Sequence, residues 1–230
     1  MEPFTILIAG SGRLAEELLK GLDGPAISRV IRWEERTCPA EGRQIVVHAG
    51  SGRQLDEIIA HCKTTGATML ELSTAGSHLP ENPPFPLIIC PNVNMPMLHF
   101  MATVKHASRY FLGQDIHISE SHQSSKATKP GTAAYMAKTL GIPEADIESI
   151  RDPKVQGGQL GIPAEFLDRH AYHRIVIKNP EVEIRMETRV LGKSAYASGL
   201  SKIIDMIART ELSPGCHDIV DLVDNDMQHS

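Results

Sequence analysis

The sequence feature that most constrains the fold is a short apolar run that ends in a glycine-rich turn. Residues 4–9 (FTILIA) are apolar almost throughout, which is typical of a parallel strand covered on both faces. The chain continues through Gly10 and Gly12 to Ala15, and leucines then recur at helical spacing. This order of strand, glycine turn and helix predicts the first unit of a parallel α/β sheet.

Strands and helices are predicted to alternate along the first part of the chain. After a helix that follows the glycine turn and a second one at about 54–63, further strands are expected at 26–33, 44–48, 68–72 and 87–90. Such an alternation favours a parallel sheet covered by helices. We therefore predict that residues 1–94 form a Rossmann-type, dinucleotide-binding domain, to which a C-terminal helix within residues 195–230 returns.

The pattern changes beyond residue 95. After a helix at about 96–111, polar and apolar residues alternate at 115–121, 173–178 and 181–190, which predicts half-exposed strands in a mixed or antiparallel sheet. Residues 95–194 are expected to form a second, α+β domain for substrate binding and oligomerisation. The segment 151–170 is expected to be a long polar loop that reaches a neighbouring subunit or closes as a lid.

Composition limits the functions that such an α/β chain can serve. The net charge is −5 and aromatic residues make up 4% of the 230 residues, which argues against nucleic acid as a partner. No run approaches the roughly 20 apolar residues of a membrane helix, and no secretory signal is recognisable, so we expect a cytoplasmic protein without membrane attachment. The four cysteines are scattered singly and no paired metal-ligand spacing occurs, so no metal site is expected.

The glycine turn has the chemistry of a phosphate-binding loop. In the pattern G-x-G-x-x-A, the first glycine allows a tight turn, the second lets a diphosphate approach the backbone, and the alanine lets the helix pack on the strand. Amide groups at the start of the helix attract phosphates. The turn therefore predicts dinucleotide binding by Gly10, Ser11, Gly12, Arg13 and Leu14.

The choice of nucleotide depends on the residues that follow the second strand. A carboxylate at Glu34 or Glu35 lies at the expected distance of about 20 residues from the turn, where it would bind both ribose hydroxyls and repel a 2′-phosphate. Arg36, with Arg32 and Arg13, would instead hold that phosphate. We expect NADH or NADPH as the cofactor, with NADH slightly favoured.

A second informative segment runs from Glu120 to Ala134. It leads from a strand end through a polar loop into a helix, whose first amide groups, with Thr132 and two lysines, suit a carboxylate. His122 adds a group that exchanges a proton near neutral pH. Polar loops with an N-cap threonine and no ligand are also common, so the residue chemistry alone leaves both interpretations open.

The segment resembles the second-domain signature of the dihydrodipicolinate reductase family, E-x-H-H-x-x-K-x-D-A-P-S-G-T-A. The matching residues are Glu120, His122, Lys126, Pro130, Gly131, Thr132 and Ala133. The resemblance continues at residues 72–76 (LSTAG), where the family has a G-T-T-G turn, and at 90–94 (CPNVN), where it has A-x-N-F-S. Residues 193–199 (KSAYASG) resemble the basic residue that precedes the family's closing helix.

This resemblance implies a reductase of lysine biosynthesis that delivers hydride from a nicotinamide to the conjugated cyclic imine of a dicarboxylate. It makes His122 the candidate acid and Lys126 the partner of the substrate and of its developing charge. It implies that the substrate is held by Gln123, Gly131, Thr132 and Lys193. It adds cofactor contacts at Ser73, Thr74 and Asn92.

The departures from the signature predict an altered substrate site. Gln123 replaces the second histidine, residues 128–129 (TK) replace Asp-Ala, and the serine before Gly131 is missing. Because such losses change carboxylate recognition, we expect a divergent relative that reduces another cyclic imine carboxylate or the lysine-pathway substrate itself. The alternative is a catalytically inactive, nucleotide-binding sensor or scaffold. The resembled family is commonly tetrameric, which implies a homotetramer or a dimer.

Overall fold

The computed structural model describes residues 2–36, 42–73, 78–124, 131–192 and 194–228. The chain divides into two compact units, and each is built on a sheet of its own. The first comprises Met1–His99 and Tyr196–Ser230, and the second comprises Phe100–Ala195. The predicted fold class, a Rossmann-type parallel sheet and a second α+β domain with a mixed sheet, is confirmed.

The first unit contains a six-stranded sheet in which every neighbouring pair is parallel. Its strands are β1 (Phe4–Ala9), β2 (Ile27–Arg32), β3 (Gln44–His48), β4 (Thr68–Glu71), β5 (Pro86–Ile89) and β10 (Gly215–Asp218). The helices are α1 (Arg13–Gly21), α2 (Leu55–Thr65), α6 (Ala197–Arg209) and α7 (Ile219–Gln228), and α3 (Met95–Phe111) begins here. The order across the sheet is β10, β5, β4, β3, β1, β2.

The core of this unit explains why its central strands are continuous apolar runs. Every residue of β1, β3 and β4 is buried, as in parallel strands that helices cover on both faces. On one face, Leu7, Val46 and Met69 come from three neighbouring strands and belong to one apolar cluster with Ile58 and Cys62 of α2. The periodic apolar face of α2 therefore packs against the sheet, as the sequence predicts.

The strand order reverses beside β1. One side of β1 pairs with β2, and the other side pairs with β3. In open parallel sheets, such a switch point opens a crevice at the carboxyl ends of the strands, and ligands bind there. The glycine turn follows β1 directly, so the fold places it at this crevice.

The C-terminal part of the first unit contains more than the predicted helix. After α6, the strand β10 pairs in parallel with β5 at the edge of the sheet, and α7 follows. Residues 215–218 (GCHD) carry no apolar run, so periodicity does not reveal this strand. α6 itself lies against the loop after β5, because a Cβ on Gly199 would be 2.0 Å from the carbonyl oxygen of Val93.

The second unit is built on a four-stranded mixed sheet in the order β7, β6, β8, β9. Its strands are β6 (Asp115–His122), β7 (Glu148–Ile150), β8 (His170–Lys178) and β9 (Glu183–Leu191). β6 and β7 are parallel, whereas β8 is antiparallel to both β6 and β9. The helices α4 (Gly131–Thr139) and α5 (Pro153–Gly158) belong to this unit, as does the larger part of α3.

The prediction of a long polar loop at 151–170 is wrong where the segment forms a helix and a 3-10 turn. Asp152 caps α5, because its side chain accepts a hydrogen bond of 2.8 Å from the amide of Lys154, and Pro153 begins the helix. A short 3-10 turn follows at Ala164–Phe166. Leu160 and Ile162 are buried against Tyr172 of β8. The segment is therefore anchored in the core of the second unit.

Candidate functional site

The turn between β1 and α1 has room for an anionic group. Gly10 has a φ of +138°, and a Cβ there would lie 2.6 Å from the carbonyl oxygen of Ala49, so only glycine fits. Gly12 precedes α1, and no described atom outside its immediate chain neighbours lies within 4 Å of the position of a Cβ. Ser11 and Gly12 are exposed, while Ala15, in the first turn of α1, is completely buried. This geometry fits the diphosphate of a dinucleotide.

The residues after β2 place a carboxylate beside this turn. Glu34 is exposed in a 3-10 turn and accepts a hydrogen bond of 2.8 Å from the side-chain amide of Gln54. That hydrogen bond is the main cause of the lowered pKa of Glu34, so the group is ionised at neutral pH. Its position at the carboxyl end of β2 suits a pair of ribose hydroxyls.

Arg32 and Arg36, both considered for a 2′-phosphate, are engaged by neighbouring protein groups. Arg32 forms an ion pair of 2.6 Å with Glu16 of α1. Arg36 lies with its guanidinium 3.7 Å from the centre of the Trp33 ring and donates to the Trp33 carbonyl oxygen at 2.9 Å. Arg13 and Leu14 are the first two residues of α1.

The remaining predicted cofactor residues lie at the same edge of the sheet. Ser73 follows β4, where its amide donates to the carboxylate of Glu71 at 2.6 Å and its hydroxyl accepts from the amide of Ser51 at 2.9 Å. Asn92 follows β5 and is buried, and its side-chain oxygen accepts from the amide of Asn94 at 2.8 Å. Thr74 lies outside the described residues.

In the second unit, His122 is held by a buried carboxylate. His122 is the last residue of β6, and Glu120 lies on the same face because strand residues alternate with a period of two. The Nδ1 atom of His122 lies 2.7 Å from Oε2 of Glu120. Arg151 donates to both oxygens of this carboxylate, at 2.6 and 3.1 Å. The three side chains form a hydrogen-bonded row that fixes the orientation of the imidazole ring.

The electrostatics of this row define the protonation of His122. Burial alone would raise the pKa of Glu120, but hydrogen bonds from His122 and Arg151 outweigh burial and hold that pKa at about 2. An ionised carboxylate can only accept, so Nδ1 of His122 carries a proton that it donates to Glu120. Proton exchange at this ring then takes place at Nε2.

A second layer of buried polar groups supports the end of β6. The side-chain amide of Gln156 donates to the carbonyl oxygen of His122 at 2.8 Å and to the hydroxyl of Ser121 at 3.1 Å. The hydroxyl of Ser121 in turn lies 2.9 Å from Nε2 of His170, whose Nδ1 lies 3.0 Å from the carbonyl oxygen of Phe166. Because a carbonyl can only accept, His170 carries its proton on Nδ1 and accepts from Ser121. Burial lowers the pKa of His170 and favours this neutral form.

The predicted substrate residues are placed only in part. Gln123 follows β6 directly and is half-buried. Gly131 and Thr132 begin α4, which packs against β6, and Thr132 is buried. Lys126 and Lys193 lie outside the described residues.

Sequence analysis assigned no role to three residues of this site. Arg151, Gln156 and His170 approach β6 from distant parts of the chain, so no local spacing could reveal them. For Glu120, the sequence did contain a signal of its contact with His122. A glutamate two positions before a histidine on a strand shares its face, and a buried carboxylate requires a cationic or hydrogen-bonding partner.

The described residues contain neither a cluster of metal ligands nor a helix suited to a membrane. Within the described ranges, no three histidine, cysteine, aspartate or glutamate side chains come together as metal ligands. Among the helices of those same ranges, none is both long and apolar enough to cross a membrane.

Comparisons with known proteins identify a family for this chain. The family model described as "Dihydrodipicolinate reductase, C-terminus" matches residues 97–223, which is more than half of the chain. The 4-hydroxy-tetrahydrodipicolinate reductase 2 (chloroplastic) of Arabidopsis thaliana is 30% identical over 148 residues, 60% of this chain and 42% of the relative. Reductase 1 of the same plant is 30% identical over 133 residues, 53% of this chain and 38% of the relative. The chain thus spans less than half the length of these curated relatives.

The fold is also found among solved structures. The dihydrodipicolinate reductase from Paenisporosarcina sp. TG-14, solved with bound dipicolinate, matches with a TM-score of 0.63 at 16% identity, over 95% of this chain and 98% of that one. At this level of identity the match shows a shared fold. Together with the family match over residues 97–223, it shows that the chain belongs to the dihydrodipicolinate reductase family.

Proposed function

We propose that this protein is a reductase that uses NADH or NADPH to reduce a cyclic imine carboxylate. The observation that carries the proposal is the row of Glu120, His122 and Arg151 at the end of β6, which presents a proton donor on a strand that contacts α4. The names of the curated relatives, 4-hydroxy-tetrahydrodipicolinate reductases, support the reaction class. The bacterial reductase with a TM-score of 0.63 was solved with dipicolinate, a cyclic dicarboxylate, which supports the substrate class.

The first unit is the proposed dinucleotide site. Residues 10–14 would hold the diphosphate, and the carboxylate of Glu34 would bind the hydroxyls of the adenosine ribose. Since Arg32 and Arg36 are engaged by Glu16 and Trp33, these contacts favour NADH over NADPH. When bound, a reduced nicotinamide supplies the hydride.

The second unit is the proposed substrate site. The amide groups at the start of α4, with Thr132, would bind one carboxylate of the substrate, and Lys126 and Lys193 would add positive charge. Gln123 stands where the family signature has a second histidine. An amide at this position binds a carboxylate without a positive charge, so we propose that it alters the choice of imine.

His122 is the proposed acid. Addition of hydride to a C=N bond, or to the end of a conjugated C=C–C=N system, transfers an electron pair to the substrate, and a proton on the nitrogen or on the conjugated carbon completes the reduction. The imidazolium form of His122, hydrogen-bonded to ionised Glu120, donates that proton from Nε2 and retains the proton on Nδ1. Arg151 keeps Glu120 ionised, so it acts through Glu120 as a positioning residue.

A direct assay tests the proposal. Purified protein is titrated with NADH and with NADPH, and dinucleotide oxidation is then followed with 4-hydroxy-tetrahydrodipicolinate and with cyclic imines that carry a single carboxylate. We expect oxidation with at least one imine. Tight dinucleotide binding without turnover on any imine would contradict the proposal and favour the nucleotide-binding sensor or scaffold.

The second unit is also the proposed oligomerisation surface. β9 lies at the edge of its sheet, and the exposed apolar side chains Val182, Ile184 and Leu191 lie on it or beside it. An edge strand that exposes apolar side chains is a typical contact between subunits. We propose a homodimer or homotetramer formed through this surface, and light scattering of the purified protein measures the mass that decides it.

A further inference from the structure

A buried pair of polar side chains joins the ends of β3 and β4 in the first unit. His48 ends β3 and Glu71 ends β4, and their side chains are 0% and 1% exposed. Nδ1 of His48 lies 2.7 Å from Oε2 of Glu71, and Nε2 lies 3.0 Å from the carbonyl oxygen of Arg53. Because that carbonyl can only accept, Nε2 carries a proton, and a second proton is shared between Nδ1 and the carboxylate.

The same carboxylate organises a second loop. Its other oxygen, Oε1, accepts a hydrogen bond of 2.6 Å from the amide of Ser73. The hydroxyl of Ser73 accepts from the amide of Ser51 at 2.9 Å. Glu71 therefore connects the segment after β4 to the segment after β3, through one contact with His48 and one with Ser73.

The segment after β3 is one that needs such support. Ser51 has a φ of 52° and Gln54 a φ of 61°, and both values lie in the left-handed region that L-residues with side chains rarely adopt. A conformation of this kind persists only where surrounding contacts fix it, and such segments cluster at ligand sites. The bonds from His48 to Arg53 and from Ser51 to Ser73 provide this fixation.

We propose that His48 and Glu71 are positioning residues for the nicotinamide half of the dinucleotide. The diphosphate turn follows β1, and the ribose carboxylate Glu34 follows β2 on one side of it. The two nucleosides of a dinucleotide extend to opposite sides of the diphosphate. The second nucleoside therefore lies toward β3 and β4, whose following segments this pair fixes. The inference rests on the proposed dinucleotide site.

Two ligands separate this role from a general effect on folding. NADH has both nucleosides, whereas ADP ends at the diphosphate. Glu71→Gln keeps the size of the side chain. It replaces one carboxylate oxygen by an NH2 group, which cannot accept the hydrogen bond from His48 or from the amide of Ser73 that this oxygen accepts. We expect the dissociation constant for NADH to rise about tenfold or more and that for ADP to change by less than about threefold. ADP affinity is preserved because the amide of Ile58 in α2 also binds the carbonyl oxygen of Gln54, so Gln54 and the Glu34 that it holds keep a second contact when the bond from His48 to Arg53 is lost.

Matched variants complete the test, with affinities measured by calorimetry. His48→Gln breaks the hydrogen bond to the carbonyl oxygen of Arg53 and should give the same selective loss of NADH affinity. If Glu71→Gln does not fold, His48→Gln alone tests the proposal. The double variant should lose no more than the single ones, because the two residues act as a unit. Gln44→Leu removes the hydrogen bond to His61 at the other end of β3 and should leave the ratio of the two dissociation constants unchanged.

The outcomes distinguish this inference from the proposed function. Equal losses for NADH and ADP, or no loss for NADH, in folded variants would overturn the positioning role. Wild-type protein that binds neither NADH nor NADPH would overturn the proposed dinucleotide site itself, and with it this inference.

Discussion

At the scale of single residues, the site depends on charges that are buried and paired. An unpaired buried carboxylate is strongly unfavourable, and Glu120 avoids this cost through His122 and Arg151. The sequence signature identified His122 because the signature is a local pattern, and Glu120 and His122 lie two positions apart within it. It could not lead to Arg151, which is 31 positions from Glu120, because no local pattern encodes their contact.

The proposed roles of His122 and Lys126 predict a specific kinetic result. Replacing the acid or the cation removes transition-state stabilisation, so His122→Gln and Lys126→Met should each lower turnover at least about tenfold. Dinucleotide affinity should stay the same, because both residues belong to the second unit. Steady-state kinetics and dinucleotide titration measure the two effects.

A histidine on the same strand provides the control. His117 of β6 is exposed, and His117→Gln should leave turnover unchanged. Full turnover in both His122→Gln and Lys126→Met would rule out the roles assigned to them.

Alanine should have different effects at the two glycines of the turn after β1: at Gly10 it should lower stability, and at Gly12 it should weaken dinucleotide binding. A Cβ on Gly10 meets the backbone of Ala49 at 2.6 Å in a left-handed conformation, so Gly10→Ala should destabilise the fold by about 1–3 kcal/mol. A Cβ on Gly12 meets no described atom within 4 Å, so Gly12→Ala should change stability by less than about 1 kcal/mol. Because that methyl group occupies the space proposed for the diphosphate, it should weaken dinucleotide binding about tenfold or more.

Urea unfolding and dinucleotide titration of the two variants measure these effects. A Gly12→Ala protein that binds the dinucleotide as tightly as wild type would place the diphosphate elsewhere.

At the scale of helices and strands, the elements that are buried are the ones that the sequence pattern predicts best. β1 and β3 are buried on both faces, so their sequences are continuous apolar runs that predict strands directly. β10 lies at the sheet edge and is held by backbone pairing with β5, which requires no apolar side chains. α5 contains Gly157 and Gly158, which weaken its helical pattern, and only its cap at Asp152 marks its start. Elements held by backbone contacts or caps are therefore the ones that periodicity misses.

The packing of α6 makes Gly199 sensitive to any side chain. This glycine lies where the helix meets the loop after β5, and a Cβ would be 2.0 Å from the carbonyl oxygen of Val93 and 3.0 Å from its carbonyl carbon. Backbone atoms cannot rotate away as a flexible side chain does. Gly199→Ala should therefore destabilise the protein by about 3 kcal/mol, at the upper end of overpacking effects.

Thermal and urea unfolding measure this loss. Gly158→Ala is the control, because no described atom outside the local chain lies within 4 Å of a Cβ at that position, and it should leave stability within about 1 kcal/mol of wild type. Wild-type stability in Gly199→Ala would mean that α6 does not approach the loop so closely.

At the scale of the whole molecule, the chain combines two sheets of different character. The parallel sheet has central strands that are buried on both faces, and it carries the proposed nucleotide contacts at its carboxyl edge. The mixed sheet carries a buried polar cluster at the end of β6. Buried polar groups are stable only in the protonation states that their partners require. The polar cluster therefore makes the stability of the protein depend on pH.

The direction of this dependence follows from the pKa shifts. Glu120 has a pKa of about 2 in the folded protein, below the value of 4.5 expected without these partners. The stability that it contributes is complete above about 4.5 and is lost as the pH falls toward about 2. The pKa of His170 is also lowered, because burial disfavours its charged form. In the unfolded chain, His170 takes up a proton as the pH falls below its ordinary value of about 6.5, so stability already begins to decline there.

We therefore expect the free energy of unfolding to decrease in acid in two stages, one that begins near pH 6.5 and one that begins near pH 4.5. Glu120→Gln should be less stable than wild type at neutral pH, because Arg151 loses its anionic partner, and should show a smaller second stage. Glu148→Gln, on the exposed face of the neighbouring strand β7, is the matched control and should keep both stages. Urea unfolding at a series of pH values measures the two curves. A second stage of equal size in Glu120→Gln and wild type would show that the ionised Glu120 does not stabilise the fold.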